Sequence, residues 1–385
     1  MKLFYQLICV IFFAFSSQLS AAELDQSLQD AQFYFLIDAD TKEVLLAKNP
    51  DIRIPPSSMT KMMTAYVVFD QVQKGRISLD NQCLIGKDAW RKSGSSMFLN
   101  YGDVVRIEDL IRGLLAISGN DAAVALAEST GNGIDNFVGL MNAKAVEIGL
   151  KNSHFQNPHG LYDPEHYMSV RDLATLGSSI YQNFPQYLHY FGIPEFTYRG
   201  IKQYNHNPLI VENYDGVIGG KTGFTNQGGY GVTNIVKHEN RTLVAVVNRS
   251  RTPKLRAAAI TALMDYGFEN YKKITLFEKG QTVTTLKTWL GDKSEVSVSM
   301  NQQIAFNLPR DQSIDSVKVK VKYKTPLYTP IAKGAQVATL LVEVAGYKNF
   351  EFPLFADEAV EKAGYFKRIN QILRYKLSNF FNKIS

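Results

Sequence analysis

Ser58 and Lys61 stand three residues apart in IPPSSMTKMMTAYVVFDQVQKG (Ile54–Gly75), directly after a proline pair and at the start of an apolar-periodic run. On a helix, residues three apart share a face, so the two side chains are within reach of each other. A serine hydroxyl is a weak nucleophile until a base takes its proton, and a lysine whose surroundings favour the neutral amine can be that base. The N–H groups at the mouth of the same helix can serve a developing oxyanion. Taken alone, a Ser-x-x-Lys spacing arises by chance about once or twice in a chain of ordinary composition. It equally fits a helix cap followed by a solvated lysine.

Two further clusters change that balance. AISGNDAAVALAE (Ala116–Glu128) carries Ser118, Gly119 and Asn120 between two helical patterns, and GGKTGFTNQGGYG (Gly219–Gly231) carries Lys221, Thr222 and Gly223 on a strand-like run. The first is common as an N-cap turn. A Lys-Thr-Gly on a strand is rarer, expected about a tenth of a time by chance.

Elements placed by periodicity would have to bring these three clusters together. QFYFLIDADTKEVLLAKN (Gln32–Asn49) predicts a hairpin. Helical spacing follows over Met59–Lys74, Ile107–Ile117, Ala122–Glu128, Ile134–Ile148 and Val170–Asn183, the last with Ser169 as its cap and Asp172 in its first turn. VIGGKTGF, GYGVTNIVKH and RTLVAVVNRS predict strands, and PKLRAAAITALMDYGFENY a closing helix near Tyr271. Strands first and last with helices between predict one sheet assembled from both ends of a domain. Beyond it SVKVKVKYK places Val317, Val319, Val321 and Tyr323 on one face and lysines on the other, the pattern of a strand with a wet side in a small all-β domain.

Composition limits the function classes. The net charge of +6, from 42 basic and 36 acidic residues among 385, is too small and dispersed to argue for nucleic acid. The N-terminus, with Lys2, the apolar run Leu7–Phe15 and LSAA before Glu23, has the shape of a secretory signal cut after Ala22. Cys9 would leave with it, so Cys83 would remain alone and without an internal disulfide. The six histidines show no metal-ligand spacing, and no metal or cofactor is expected.

The order Ser-x-x-Lys, Ser-x-Asn, Lys-Thr-Gly is the signature of penicillin-binding proteins and serine β-lactamases. With FVGLMNAKAVEIGLKNSHFQNPHGL and the downstream β segment added, the chain resembles a low-molecular-mass penicillin-binding protein, a serine D-alanyl-D-alanine carboxypeptidase, over nearly its whole length. The resemblance implies an α+β fold: a transpeptidase-like domain with an antiparallel sheet and a helical block, then a small all-β domain and a C-terminal amphipathic helix. The expected boundaries are 1–22 for the signal, 23–271 for the peptidase domain, 272–354 for the β domain and 355–385 for a linker and anchoring helix.

It also implies roles. Ser58 would attack the carbonyl between two D-alanines of a peptidoglycan stem peptide, with Lys61 as base. Ser118 would relay a proton to the leaving amine, Asn120 would hold the peptide and Lys61, and Lys221 would set positive potential. Thr222 and Arg251 would bind the terminal carboxylate, Gly223 would admit the substrate backbone, and the N–H groups of Ser58 and Phe224 would form the oxyanion hole. Relatives often carry histidine where this chain has Phe224. His159, in NPHGL, is expected to shape a loop. β-Lactam antibiotics would be covalent inhibitors, and the enzyme would serve cell-wall biogenesis and cell shape.

Related readings are a D,D-endopeptidase acting on crosslinks, a serine β-lactamase and a non-catalytic wall-binding scaffold. The absence of an E-x-x-L-N stretch between the second and third motifs, with the β domain and the tail, argues against the lactamase. The intact motif residues argue against the scaffold.

From Tyr365 to Ile384 helical spacing aligns Phe366, Ile369, Ile372, Leu373, Leu377, Phe380, Phe381 and Ile384, with Lys367, Arg368, Arg374 and Lys383 largely opposite. Such a helix is too polar to span a membrane and suits an anionic membrane surface. The expected location is therefore the periplasmic face of an inner membrane.

Overall fold

The computed structural model describes residues 21–344 and 347–381. The expected signal segment lies outside them except for its last two positions, which begin helix α1 (Ala21–Leu28). The described chain divides into two compact units between Asn270 and Tyr271.

In the first unit β1 (Phe33–Asp38) and β2 (Val44–Lys48) form an antiparallel hairpin. Asp38 closes its turn by accepting hydrogen bonds from the N–H groups of Asp40 and Thr41 at 3.0 and 2.9 Å. After Pro55 and Pro56, Ser57 takes a left-handed φ of +52° and a 3₁₀ turn over Ser57–Thr60 leads into α2 (Lys61–Gln73). The periodicity predicts α-helix from Met59, but the first turn is 3₁₀. With three residues per turn, a 3₁₀ helix sets positions i and i+3 in line, which suits a serine and lysine that must meet.

A ribbon of β3 (Gln82–Leu84), α3 (Lys87–Trp90) and β4 (Val104–Arg106) precedes the helical block α4 (Ile107–Ala116), α5 (Asn120–Gly131), α6 (Ile134–Glu147) and α7 (Val170–Asn183). The Ser169 side chain caps α7 by accepting from Asp172 N. These four helices surround α2, whose residues from Lys61 through Phe69 are all buried. A helix without a polar face belongs in the middle of a core.

The chain continues through β5 (Glu195–Tyr198), β6 (Ile201–Tyr204) and α8 (Pro208–Val211) to β7 (Val217–Thr225), β8 (Gly229–His238), β9 (Arg241–Ser250) and α9 (Pro253–Asn270). The main sheet is antiparallel in the order β2-β1-β9-β8-β7, so the first two strands join the last three. Leu243–Val247 are buried on both faces of β9. One face meets α7, where a Cβ on Gly177 would lie 2.9 Å from Val244, and the other meets α9, where a Cβ on Gly267 would lie 2.6 Å from Leu243.

The second unit is all β apart from a 3₁₀ turn and its last helix. β10 (Tyr271–Phe277), β11 (Thr282–Trp289), β12 (Glu295–Ser299), β13 (Ile304–Pro309), β14 (Val317–Tyr323), β15 (Leu327–Tyr328), β16 (Gln336–Val344) and β17 (Asn349–Ala356) form a β10-β13 pair and a sheet ordered β14-β16-β17-β12-β11-β15. Val296, Val298, Phe306, Leu340, Val342 and Leu354 fill its core. The lysines of β14 face solvent as their alternation predicts, but Val319 is also 43% exposed, because β14 is an edge strand and its apolar face is only partly covered. The unit does not stop at Leu354: β17 runs to Ala356, and Val360 and Lys362 bridge back to Ile331 and Gly291. The expected linker therefore begins inside the folded unit.

Helix α10 (Tyr365–Phe381) follows. Gln371 donates to the carbonyl of Gly291 at 3.3 Å and Lys367 to that of Asp292, while Phe366 and Leu373 are 85% and 55% exposed. The polar side thus touches the β unit and the described part of the apolar stripe stays open. Leu377, Phe380 and Phe381 fall where side chains are not described, and Ile384 lies outside the described residues. Among the described residues no helix is long and apolar enough to cross a membrane.

Candidate active site

Lys61 is fully buried at the first position of α2, and its Nζ lies 3.0 Å from Ser58 Oγ. It also donates to Asn120 Oδ1 at 2.7 Å and to the His159 carbonyl at 2.8 Å. A neutral amine has two N–H bonds and one lone pair, so with both hydrogens on Asn120 and His159 the lone pair is left for the Ser58 hydroxyl. Burial favours that form: it holds the Lys61 ammonium well below its ordinary 10.5, helped by the nearby charge of Lys221 and opposed by Asp121.

The surrounding loops hold this arrangement. His159 contributes its carbonyl from a turn in which its ring Nδ1 accepts from Leu161 N at 3.1 Å, and burial pushes the imidazole down to about 3. Thr64 Oγ1 donates to the Pro158 carbonyl at 2.6 Å, tying the same turn to α2. His166 Nδ1 accepts from Gln156 N at 3.1 Å, so its Nε2 carries the proton and donates to Thr60 Oγ1 at 2.8 Å. Gly160, at φ +85°, passes so close that a Cβ would lie 1.9 Å from the Ser57 carbonyl oxygen, a contact that only glycine avoids.

Ser118 sits between α4 and α5 in the left-handed region (φ +65°), an unusual place for a residue with a Cβ. Its Oγ is buried without a hydrogen-bond partner among the described residues. Asn120 Nδ2 donates to the Ser93 carbonyl at 2.8 Å, and Asp121 accepts from Ser96 Oγ, Met97 N and Leu99 N at 2.6, 3.0 and 3.1 Å. The motif therefore also fixes the segment that carries Ser95 to the rim.

From β7, an edge strand, come Lys221, Thr222 and Gly223. Burial, with the charge of Arg256, pushes Lys221 down to about 7. A Cβ on Gly223 would lie 2.9 Å from the Pro56 carbonyl oxygen and 3.2 Å from Met59 N, so this glycine lets β7 run beside the serine turn. Phe224 is half exposed and stacks on Tyr230 with centroids 4.2 Å apart.

Ser58, Ser118, Thr222, Gly223 and Phe224 line one cleft of about 410 Å³ together with Arg256. Arg251 does not line it. Its guanidinium is 80% exposed, paired with Asp30, and borders a neighbouring cavity. The arginine in the cleft is Arg256 on α9, buried, donating through Nη2 to the His206 carbonyl at 2.9 Å while its Nε has no partner among the described residues. Burial pulls it down to about 10. A signal for it existed: Arg256 falls on the same helical stripe as buried Ile260 and Leu263, four and seven residues on, where a charge is out of place unless it has work. Among the described residues no cluster of histidine, cysteine or acidic side chains is arranged to hold a metal.

Residues 20–252 match the family model for D-alanyl-D-alanine carboxypeptidases, and residues 271–362 match that for the C-terminal domain of penicillin-binding protein 5. The chain is 33% identical over 358 residues to the D-alanyl-D-alanine carboxypeptidase DacA of Escherichia coli K12, covering 91% of this chain and 89% of the relative. It resembles penicillin-binding protein 5 of Haemophilus influenzae at 34% identity and a TM-score of 0.82, over 86% of this chain and 98% of the other. Penicillin-binding protein D2 of Listeria monocytogenes, in its ampicillin-bound form, aligns at 25% identity and a TM-score of 0.57 over 62% of this chain and 97% of the other. A buried lysine beside a serine, two more motifs on the same cleft and a family match over both units lead to one conclusion: the chain belongs to the D-alanyl-D-alanine carboxypeptidase family of serine peptidases.

Proposed function

We propose that the protein removes the terminal D-alanine from peptidoglycan stem pentapeptides through an acyl-enzyme on Ser58. The observation that carries this reading is the Lys61 amine, buried and 3.0 Å from Ser58 Oγ with its other bonds taken by Asn120 and His159. Lys61 takes the hydroxyl proton as Ser58 Oγ attacks the penultimate D-alanine carbonyl. The N–H groups of Ser58 and Phe224 hold the oxyanion. When the C–N bond breaks, Ser118 passes a proton to the departing D-alanine amine, and water later cleaves the ester to regenerate Ser58. Lys221 adds positive charge when protonated, and Thr222 with Arg256, in place of Arg251, receives the terminal carboxylate, whose charge suits a guanidinium with a free Nε–H. In a β-lactam the cleaved amide stays tethered within the product, so the acyl-enzyme persists.

The reading is tested by intact-mass analysis after incubation with penicillin, alongside D-alanine release. A stable adduct on Ser58, lost together with D-alanine release in Ser58→Ala, supports it. Labelling undiminished in that variant overturns it.

Export by the N-terminal segment and residence at a membrane surface belong to the same proposal. The open stripe of Phe366, Ile369, Ile372 and Leu373, with basic residues beside it, supports an interfacial helix. A protein ending at Ala359 is expected to leave the membrane fraction while keeping its turnover of small peptides. Full release of the intact chain by salt alone would show that no apolar anchoring takes place.

A further inference from the structure

Adjoining the candidate cleft is a second basin of about 500 Å³ that shares two wall residues with it, the stacked Phe224 and Tyr230. Arg249, Arg251, Asn226 and Gln32 also line this basin. Asp30 engages Arg251 through both backbone N–H and guanidinium, and so neutralises one of the two arginines. Arg249 remains: among the described residues its guanidinium has no ion-pair or hydrogen-bond partner. The basin therefore presents one uncompensated, solvent-facing guanidinium.

The backbone sets it there at a cost. The β8–β9 pairing slips between Tyr230 and Val232, where Tyr230 faces Ser250 but Val232 faces Val247, so β9 bulges at Asn248 and Arg249. Arg249 takes φ +62°, a left-handed conformation that a long side chain rarely adopts. Gly229, at φ +65°, accommodates the bulge, since a Cβ there would lie 2.9 Å from Arg249 Cα. Bulges re-aim side chains, and this one turns an arginine of a central strand toward the basin next to the cleft.

The geometry points to an accessory subsite for a carboxylate on the acyl side of the scissile bond, with Arg249 as the residue that selects acidic peptides. The inference rests on the carboxypeptidase reading and deepens it. Thr222 and Arg256 take the terminal carboxylate inside the cleft, so the residues before the scissile bond must leave it elsewhere. The Phe224–Tyr230 wall is the boundary that the two cavities share. A guanidinium pairs well with a carboxylate, and Phe224 gives the intervening peptide an apolar surface to cross.

The test compares two substrates. One is a diacetylated L-Lys-D-Ala-D-Ala, neutral on its acyl side; the other adds a γ-linked D-glutamate with a free α-carboxylate before the lysine. Arg249→Asn removes the charge while keeping a residue that tolerates left-handed backbone. The variant is expected to lose roughly tenfold in kcat/KM on the acidic peptide and to stay within about twofold on the neutral one. Amidating the glutamate carboxyl should remove the preference from the wild type. Equal losses on both substrates would assign Arg249 a purely structural role, and no loss on either would empty the subsite; both outcomes overturn the inference. If the wild type releases D-alanine from neither peptide, it is the carboxypeptidase reading that fails.

Discussion

The two units bury very different interiors. Among the described residues the first encloses Lys61, Lys221, Arg256, Asp38, Asp121, Asp172 and Arg241, whereas the only polar side chain buried in the second is Asn307. Burying a charge is costly unless partners compensate, so a domain that does it repeatedly is retaining those groups for something other than stability. Arg241 and Asp38 pair with each other, and Asp121 and Asp172 accept several hydrogen bonds, which identifies them as structural. Among the described residues Lys61, Lys221 and Arg256 form no ion pair with a carboxylate; Arg256 lines the cleft, and Lys61 and Lys221 contact Ser58 and Thr222, which line it. For the two lysines the sign is clear: the native state holds their protons less readily than the unfolded chain, so stability falls as pH drops from 10.5 toward their folded values. The β unit carries no such burden, and its core is a matter of packing.

The contrast can be broken by substitution. Lys61→Ala is expected to lower Ser58 acylation by about 10²–10⁴-fold with the circular dichroism spectrum unchanged, because it removes the proposed base and little of the scaffold. Leu340→Ala, in the β core, should do the reverse: a loss of about 2–5 kcal/mol in urea unfolding, with the acylation rate constant of the folded protein unaltered. An acylation defect in Leu340→Ala would show that the second unit shapes the site, and the division by buried charge would not hold.

Much of this was legible in the residues. The hairpin, the five helical patterns and the three strands of the sheet follow from apolar spacing and apolar runs bounded by turn residues, even where, as in α2 and β9, burial reaches every face. Three features were not. The 3₁₀ turn at Ser57–Thr60 comes from Ser57 at positive φ and from contact with β7, both tertiary. The end of the β unit was drawn too early because Val360 and Lys362 join it through single bridges that leave no alternation. The family resemblance points to Arg251, and nothing in the sequence reveals that Asp30 engages it, whereas the arginine lining the cleft is Arg256 on α9.

The central proposal is that burial lowers the proton affinity of Lys61 so that its neutral amine can activate Ser58, and the pH dependence of acylation by penicillin tests it directly. Acylation rate constants read by intact mass across pH 5–11 are expected to fall as acid protonates Lys61, with the midpoint well below the ordinary lysine value of 10.5. A midpoint at the ordinary lysine value, as an unperturbed ammonium would dictate, would contradict it.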